Sequence, residues 1–295
     1  MTLRAVFPPM PTPFRDGDVN TKAIGANIRR WMTEGLGGVV ALGTNGEAPL
    51  LDDEESDRVV ECAREAVPRD RLLIAGAGRE STRATIAAAR RAAQHGADAV
   101  LVRPPSLYRA HISAAALAQH YTAVADASPV PVLLYNYPAF FGVNLTPDLV
   151  GRLASHPNIA GMKETSTDGA QFVDLTAAVP PEFTILAGSA PGTYPALSAG
   201  ASGAILAIAC VLPALCVELF EHARAGRYQE ALACQRRLTP IARAVTSTFG
   251  IPGLKAAMTL AGYEGGDPRP PLAPVPSAAR EKLRGLLQPF AIPLT

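Results

Sequence analysis

Short apolar runs recur along the chain and are separated by longer amphipathic stretches with helical spacing. The runs are continuously apolar, which is typical of strands that are covered on both faces of a parallel sheet. Eight such strands are the number that closes a (β/α)8 barrel. The predicted strands are residues 5–7, 38–42, 72–75, 99–102, 132–135, 159–162, 184–187 and 203–207.

The stretches between these runs carry helix signals. Acidic residues 52–55 favour a helix amino terminus, and Thr146 with Pro147 supplies a cap and a first-turn proline. Residues 79–95, which are rich in alanine and arginine, predict another helix. Strands that alternate with helices indicate an α/β fold with right-handed crossovers. A doubly wound sheet is the alternative, but eight evenly spaced parallel strands favour the TIM barrel.

The pattern changes after the eighth run, because only helical segments follow it. A proline-rich connection over residues 265–276 leads to a last helix over residues 277–288. A barrel of roughly 250 residues with a short appendix accounts for the length of the chain. We therefore predict a (β/α)8 barrel over residues 1–224 and a C-terminal helical region over residues 225–295.

The overall composition narrows the function classes. The chain is 48% hydrophobic and 18% charged, so it can bury a large core, and its net charge of +1 favours neither nucleic acid nor anionic membranes as partners. The four cysteines form no CxxC pair and the five histidines no HExxH motif, so we predict no metal site and no disulfide. No signal peptide or membrane-spanning stretch is evident. The expectation is a reduced, cytoplasmic, metal-free protein.

Three predicted strands end in residues with reactive side chains. Catalytic groups of a barrel stand at the carboxyl ends of its strands. The second run leads into Thr44 in GTNGE (43–47), the fifth ends at Tyr135 in LYNYP (134–138), and the sixth ends before Lys163 in GMKET (161–165). Taken alone, each residue also has an ordinary explanation: a helix cap, a core tyrosine, and a solvated or ion-paired lysine.

Lys163 is the candidate nucleophile. The basic residues are mostly arginines, and the lysines are Lys22, Lys163, Lys255 and Lys282. Arginine stays charged and cannot form an imine, whereas a desolvated lysine can lose its proton. The apolar run that precedes Lys163 favours such desolvation, so this residue is a credible nucleophile.

The glycine-rich segments favour carboxylates over phosphates as ligands. The GTNG turn is too short for a P-loop and lacks its lysine, and residues 76–80 do not complete a GxGxxG motif. The segment after the eighth run is apolar, without the glycine loop of a barrel phosphate site. The amides of the GTNG turn suit a small anion.

Together, these motifs resemble the dihydrodipicolinate synthase / N-acetylneuraminate lyase family of class I Schiff-base aldolases. The resemblance covers nearly the whole chain, including its helical carboxyl-terminal part. GTNGE matches the family loop, LYNYP the tyrosine motif and GMKET the Schiff-base lysine motif. Asn45 and the segments AGSA (187–190) and FGIPGLK (249–255) resemble the 4-hydroxy-2-oxoglutarate aldolases of the family most closely.

The resemblance implies a role for each matching residue. Lys163 would form the imine with pyruvate, and Tyr135 would shuttle protons. Thr44 would complete the relay with Tyr108, which a neighbouring subunit would supply. The amides of Thr44 and Asn45 would hold the pyruvate carboxylate. The predicted substrate-binding residues are Thr44, Asn45, Thr165, Ile205, Gly188 and Phe140.

The resemblance also implies the assembly and the cofactor requirement. Family members are usually homotetramers built as dimers of dimers, so the same assembly is expected here. No metal or organic cofactor is expected, because the protonated imine is itself the electron sink. The expected partner is a small 2-keto acid such as pyruvate.

Phe140 is the informative departure from the family pattern. In dihydrodipicolinate synthase an arginine at this place holds the carboxylate of the second substrate, and here a charge-assisted hydrogen bond of about 1.5–3 kcal/mol is missing. We therefore predict a carbon–carbon lyase that cleaves 4-hydroxy-2-oxoglutarate-type keto acids to pyruvate and an aldehyde. The alternatives are dihydrodipicolinate synthesis, then a hydratase-aldolase or a sugar-acid dehydratase. A non-catalytic barrel that binds a keto acid is the alternative from another class.

Overall fold

The computed structural model describes residues 3–166, 168–290 and 292. Within this part of the chain, eight strands form one parallel sheet and two form a short antiparallel hairpin. In chain order the strands are β1 (Val6–Phe7), β2 (Phe14–Arg15), β3 (Asp18–Val19), β4 (Gly38–Ala41), β5 (Leu72–Gly76), β6 (Ala99–Val102), β7 (Val132–Asn136), β8 (Ile159–Glu164), β9 (Thr184–Ala187) and β10 (Gly203–Ile205).

The eight parallel strands close into a barrel. Their order is β1-β10-β9-β8-β7-β6-β5-β4, so every strand lies beside its neighbour in the chain. The remaining gap between β1 and β4 is bridged by the amide of Val40, which donates to Pro8 O at 3.0 Å, and by Met10, which donates to Val40 O at 2.9 Å. The predicted (β/α)8 barrel is confirmed.

Helices follow the strands as the amphipathic pattern predicts. They are α1 (Thr21–Met32), α2 (Asp53–Ala66), α3 (Thr82–Gln94), α4 (Ala114–Ala127), α5 (Pro138–Phe141), α6 (Pro147–Leu153), α7 (Gly169–Ala178), α8 (Thr193–Ser198), α9 (Pro213–Arg224), α10 (Tyr228–Arg243), α11 (Gly250–Leu260) and α12 (Ser277–Leu287). Asp52 and Glu55 form a capping box at α2, and Thr146 caps α6.

Most predicted strand bounds shift by one or two residues, and the strand predicted over residues 159–162 extends to Glu164, so that it includes Lys163. Two shifts, one in a helix and one in a strand, have a clear local reason. The helix predicted over residues 79–95 begins at Thr82, because the Ser81 side chain accepts the Ala84 amide and caps it. Arg79 therefore lies in the loop that follows β5. The strand predicted over residues 203–207 ends at Ile205, because Ala207–Cys210 turn into a 3-10 helix.

The core has two layers. Large apolar side chains fill the barrel itself, and a second cluster lies between the strands and the surrounding helices. This filled interior means that the barrel is not a pore and that binding space exists only at its ends. The interior side chains include Phe7, Val40, Ile74, Leu101, Leu133, Leu186 and Ile205.

The last helices pack on the barrel and on one another. Asn27 of α1 exchanges two hydrogen bonds of 2.9 Å with the backbone of Glu264, and Arg30 donates to Gly262 O at 2.7 Å. These bonds join the connection after α11 to the first helix of the barrel. The division after residue 224 stays a prediction. Every helix among the described residues is too short or too polar to span a lipid bilayer.

Candidate active site

Lys163 and Tyr135 lie side by side at the carboxyl mouth of the barrel. They are paired in the register of β8 and β7, and each stands one residue before the end of its strand. The Lys163 Nζ atom donates to the Tyr135 hydroxyl at 3.3 Å and lies 4.3 Å from the centre of the phenol ring. Parallel pairing thus brings together an amine and a phenol that are 28 residues apart in the chain.

The surroundings of Lys163 differ from those of the buried Lys255. Lys163 is 6% exposed, and no carboxylate in the described part of the chain lies within ion-pair distance of its amine. Lys255 is 1% exposed and forms an ion pair with Glu47. The ion-paired explanation for Lys163 is therefore excluded among the described residues, and its amine has the Tyr135 hydroxyl as its hydrogen-bond partner.

Thr44 stands in a strained turn directly after β4. Residues Thr44–Gly46 form a 3-10 turn, and Leu42 and Glu47 on either side of it have φ angles of 54° and 56°. Residues other than glycine rarely adopt these angles, which cost about 1–3 kcal/mol each and persist only where neighbouring contacts hold them. The turn places the Thr44 hydroxyl 3.4 Å from the Tyr135 hydroxyl. Thr44, Tyr135 and Lys163 consequently form a continuous chain of polar groups.

A large cavity opens above the polar groups of Thr44, Tyr135 and Lys163. Its volume is about 1380 Å³. The amides of Thr44 and Asn45 open the 3-10 turn, and such first amides have no partner within a helical turn. They are therefore available to a carboxylate in the cavity. The predicted site residues that line the cavity are Thr44, Asn45, Tyr135, Phe140, Lys163, Thr165 and Gly188.

Thr165 and Gly188 shape the wall beside Lys163. A Cβ atom at Gly188 would lie 2.2 Å from Thr165 Oγ1 and 2.9 Å from Lys163 Cε, so only glycine fits there without moving both side chains. The Thr165 hydroxyl oxygen is buried and has no hydrogen-bond partner among the described residues. A polar atom of this kind is costly unless a ligand satisfies it. Its position fits the predicted contact with a substrate.

Phe140 lies at the rim of the same mouth. It is 62% exposed and stacks on Tyr137 with a centroid separation of 5.5 Å. Arg109, in the loop after β6, is exposed and packs beside Gly142. Arg109 does not line either cavity that opens at the mouth. The aromatic rim therefore supplies no positive charge of its own.

Two predicted site residues lie outside the large cavity. Ile205 has no exposed surface and packs in the barrel interior in the same cluster as Tyr135, so it supports the floor of the site. Tyr108 lies in the loop after β6 and is 68% exposed. Glu80 holds this loop, because its carboxylate accepts the amides of Ser106 and Leu107 at 2.9 Å each. A role for Tyr108 would thus require a neighbouring subunit.

A polar network behind the strands holds the ends of β7 and β8, and sequence reasoning did not identify it. Glu164 is 1% exposed and accepts hydrogen bonds from Asn136 at 2.8 Å and from the Ser166 amide at 2.7 Å. Asn136 also donates to Asn144 at 2.8 Å. Glu164 and Asn136 follow Lys163 and Tyr135 directly, so alternation along the strands turns them to the opposite face. They thereby fix the two strands that carry the reactive pair.

A buried ion network holds the Thr44 turn from below, and sequence reasoning missed it as well. Lys255 Nζ lies 2.5 Å from Glu47 Oε1 and donates to Asp267 O at 2.8 Å. Burial lowers the pKa of Lys255, although its hydrogen bond to Glu47 opposes the shift. The backbone amide of Arg269 donates to the other Glu47 oxygen at 2.8 Å. The sequence signal that could have identified Lys255 is that it is a lysine in a chain whose basic residues are mostly arginines.

The one group of possible metal ligands found among the described residues lies away from the mouth. Among the described residues, Glu218, His222 and Cys234 place one ligand atom each within 4.8 Å of one another. They belong to α9 and α10 and line neither cavity at the mouth. Burial raises the pKa of the Cys234 thiol to about 11, which disfavours the thiolate that a metal requires.

The comparison with known proteins supplies the family. The sequence model of the dihydrodipicolinate synthetase family matches residues 2–289. The chain belongs to this family. It is an aldolase-type carbon–carbon lyase, as predicted from its motifs.

Similar members of the dihydrodipicolinate synthetase family are named for different reactions. A 4-hydroxy-tetrahydrodipicolinate synthase of Exiguobacterium is 36% identical over 280 residues, which are 95% of each chain. A probable mitochondrial 4-hydroxy-2-oxoglutarate aldolase of Emericella nidulans is 38% identical over 265 residues, 87% of this chain and 85% of that protein. A prophage protein of the family from E. coli K12, crystallised with pyruvate, superposes with a TM-score of 0.93 at 31% identity, covering 99% and 100% of the two chains.

Proposed function

We propose that this protein is a class I aldolase that binds a 2-keto acid such as pyruvate as an imine on Lys163. The observation that carries the proposal is the buried, unpaired amine of Lys163 at 3.3 Å from the Tyr135 hydroxyl. The similar structure that was crystallised with pyruvate supports the choice of ligand. Cleavage of 4-hydroxy-2-oxoglutarate to pyruvate and glyoxylate is the reaction we place first.

The first half of the reaction forms the imine. The Lys163 amine, once deprotonated, attacks the C2 carbonyl of the keto acid. The carbinolamine then takes a proton from the Tyr135 hydroxyl and loses water, which gives a protonated imine and leaves the Tyr135 oxygen able to accept a proton. The C1 carboxylate lies on the amides of Thr44 and Asn45. The cationic imine then withdraws electrons from the neighbouring carbons, so no separate cofactor is required.

The second half breaks the carbon–carbon bond. The Tyr135 oxygen takes the proton from the C4 hydroxyl, and the electrons of the C3–C4 bond move to C3 as the aldehyde departs. The Tyr135 hydroxyl returns its proton to C3 of the enamine, water hydrolyses the protonated imine to pyruvate and free Lys163, and the proton released goes back to the Tyr135 oxygen. Thr44, at 3.4 Å from the Tyr135 hydroxyl, carries the proton towards and away from the phenol.

Trapping of the imine tests this proposal. Borohydride with pyruvate should add a three-carbon adduct to one lysine, and peptide mass mapping should place it on Lys163. Lys163→Arg should keep the fold and lose both adduct and turnover, because a guanidinium forms no imine. Lys255→Arg is a matched control that should still be labelled on Lys163. An unlabelled wild type, or a label on Lys22, Lys255 or Lys282, would refute the proposal and would favour a keto-acid-binding barrel without catalysis.

Dihydrodipicolinate synthesis is the second candidate reaction. The synthase relatives support it as strongly as the aldolase relative supports cleavage. Phe140 in place of the synthase arginine favours cleavage, since the missing contact corresponds to a roughly tenfold to hundredfold loss in specificity for aspartate semialdehyde. Steady-state kinetics with both substrates decides between them. A higher kcat/KM for condensation with aspartate semialdehyde would reverse our order, and Phe140→Arg should raise that value if the aldolase assignment holds.

A shared active site is part of the proposal. We infer that Tyr108 of one protomer completes the relay of another in a homotetramer, because this exposed tyrosine lies in a loop that Glu80 holds rigidly. Tyr108→Phe should lower kcat, and mixing it with inactive Lys163→Arg chains should restore part of the activity through hybrid sites. An active monomer, or a Tyr108→Phe protein at full rate, would contradict the shared site.

A further inference from the structure

The group of possible metal ligands on the outer helices lies away from the barrel mouth. Glu218 and His222 are four residues apart in α9, so they stand one above the other on the same helix face. Cys234 comes from the neighbouring helix α10. One ligand atom of each residue lies within 4.8 Å of those of the other two. The packing of α9 against α10 thus gathers a carboxylate, an imidazole and a thiol at one point.

The spacing of these atoms suits a tetrahedral zinc ion. His222 Nε2 lies 3.5 Å from Glu218 Oε1. Nitrogen and oxygen ligands that are each about 2.1 Å from zinc lie about 3.4 Å apart at a tetrahedral angle, and a thiolate sulfur at about 2.3 Å lies slightly farther from both. The three side chains reach this geometry if they close by about 1 Å. The Glu218 side chain is 49% exposed, so it is free to move, and the fourth position can take a water from the solvent side.

The charges of Cys234 and Glu218 oppose each other unless a cation lies between them. Cys234 is 3% exposed, and burial raises the pKa of its thiol, with the charge of Glu218 adding to the effect. A divalent cation would replace the thiol proton, because a coordinated thiol is deprotonated. The thiolate and the carboxylate would then balance the two charges of the ion, and the imidazole of His222 would add a neutral ligand. Binding would consequently release one proton.

We propose that Glu218, His222 and Cys234 bind a divalent transition-metal ion, for which zinc is the best match. Thiolate and imidazole ligands select zinc over magnesium and calcium, which prefer oxygen ligands. The ion would join α9, which follows the last strand of the barrel, to α10. Its role would be to stabilise this junction, because the three ligands line neither cavity at the mouth. The inference is therefore independent of the proposed function.

Arg227 would compete with the metal for His222. Its Nε atom donates to His222 Nδ1 at 2.8 Å, so the proton of the neutral imidazole is held on Nε2. A metal on Nε2 requires this proton on Nδ1, and the hydrogen bond from Arg227 must then break. Arg227 is exposed, so its guanidinium can turn into solvent. Removal of Arg227 should therefore tighten metal binding, an effect that a purely structural role of these side chains would not produce.

Cobalt is the probe for the test, because Co²⁺ on a thiolate gives a charge-transfer absorption that Co²⁺ on nitrogen and oxygen ligands lacks. Protein treated with a chelator should bind one Co²⁺ with this absorption. Zn²⁺ should displace it and should raise Tm by about 5–10 °C at about a hundredfold excess over its Kd. Cys234→Ser and His222→Gln should each lose the absorption and most of the rise in Tm. Cys62→Ser is the matched control, since it removes a partly exposed cysteine elsewhere and should change neither.

Binding by the Arg227→Ala variant is the second measurement. Its Kd for Zn²⁺ should be roughly threefold to tenfold lower than that of the wild type, because one competing hydrogen bond is gone. An unchanged or higher Kd would refute the proposed ligation by His222 Nε2. A wild type without the thiolate absorption, an absorption that persists in Cys234→Ser, or one that is lost in Cys62→Ser would refute the site.

Folding and activity controls keep the test independent of the aldolase assignment. The pyruvate adduct on Lys163 and the steady-state turnover should be the same in all of these variants, so failure of the metal site leaves the proposed function untouched. If Cys234→Ser does not fold, His222→Gln on the protein surface must still lose the absorption. Full absorption in His222→Gln would overturn the inference.

Discussion

Replacing Lys255 by methionine removes the cation from an ion pair whose side chains are 1% and 0% exposed. The change leaves Glu47 buried beside an apolar side chain, and breaking a buried pair in this way costs about 3–5 kcal/mol. Each kcal/mol lowers Tm by about 2–4 °C in a chain of this size, so Tm should fall by about 6–20 °C. Glu47 also closes the strained turn of Thr44, with a φ of 56°. We therefore expect kcat to fall roughly tenfold or more at a temperature where the variant is still folded.

Thermal unfolding followed by circular dichroism, together with steady-state kinetics, measures both effects. The double variant Lys255→Met/Glu47→Gln should recover at least half of the lost Tm, because it removes the unpaired buried charge. Lys22→Met is the matched control, since Lys22 is exposed and should leave Tm within about 1 °C. A single variant within about 2 °C of the wild type, or a double variant no more stable than the single one, would refute the reasoning.

Three further perturbations test other contacts of the site. Tyr135→Phe should lower kcat about 10²–10⁴-fold while pyruvate still forms the adduct, and a rate within about threefold of wild type would make Tyr135 an ordinary core residue. Gly188→Ala places a Cβ atom 2.9 Å from Lys163 Cε, so kcat should fall at least about tenfold while the circular dichroism spectrum stays unchanged. Full activity would show that the Lys163 and Thr165 side chains move aside without affecting the reaction. The third perturbation removes the charge of Glu55. The hydrogen bond from Arg269 lowers the pKa of this carboxyl below its ordinary value of 4.5.

The Glu55 carboxylate therefore stabilises the fold above its ordinary pKa of 4.5, and this contribution is lost as the pH falls through the lower pKa of the folded state. Glu55→Gln should be less stable than the wild type at pH 7, and the difference should shrink as the pH falls below that ordinary value. Urea denaturation at several pH values measures it. A difference that does not change with pH would contradict the assigned pKa shift.

The sequence by itself determined the order of the strands and helices and pointed to the candidate reactive residues. Continuously apolar runs predict the eight strands, because a strand that is buried on both faces carries apolar side chains at every position. Helix starts such as Asp52 and Thr146 are visible because caps act over three or four neighbouring residues. Lys163 and Tyr135 are visible because each stands at the end of its own run. All of these signals are local along the chain.

Only the tertiary structure decided which side chains meet. The register of β7 and β8 places Tyr135 opposite Lys163, and barrel closure brings Thr44 to Tyr135 across 91 residues of sequence. The pairing of Lys255 with Glu47 and the position of Arg79 near Thr44 and Tyr135 likewise depend on packing between distant segments. Hydrophobic periodicity predicts which face of an element is buried, but it carries no information on the partner of a buried charge. That partner is selected by the closed barrel, where an ion is tolerated only beside its counter-ion or in a cavity that a ligand can fill.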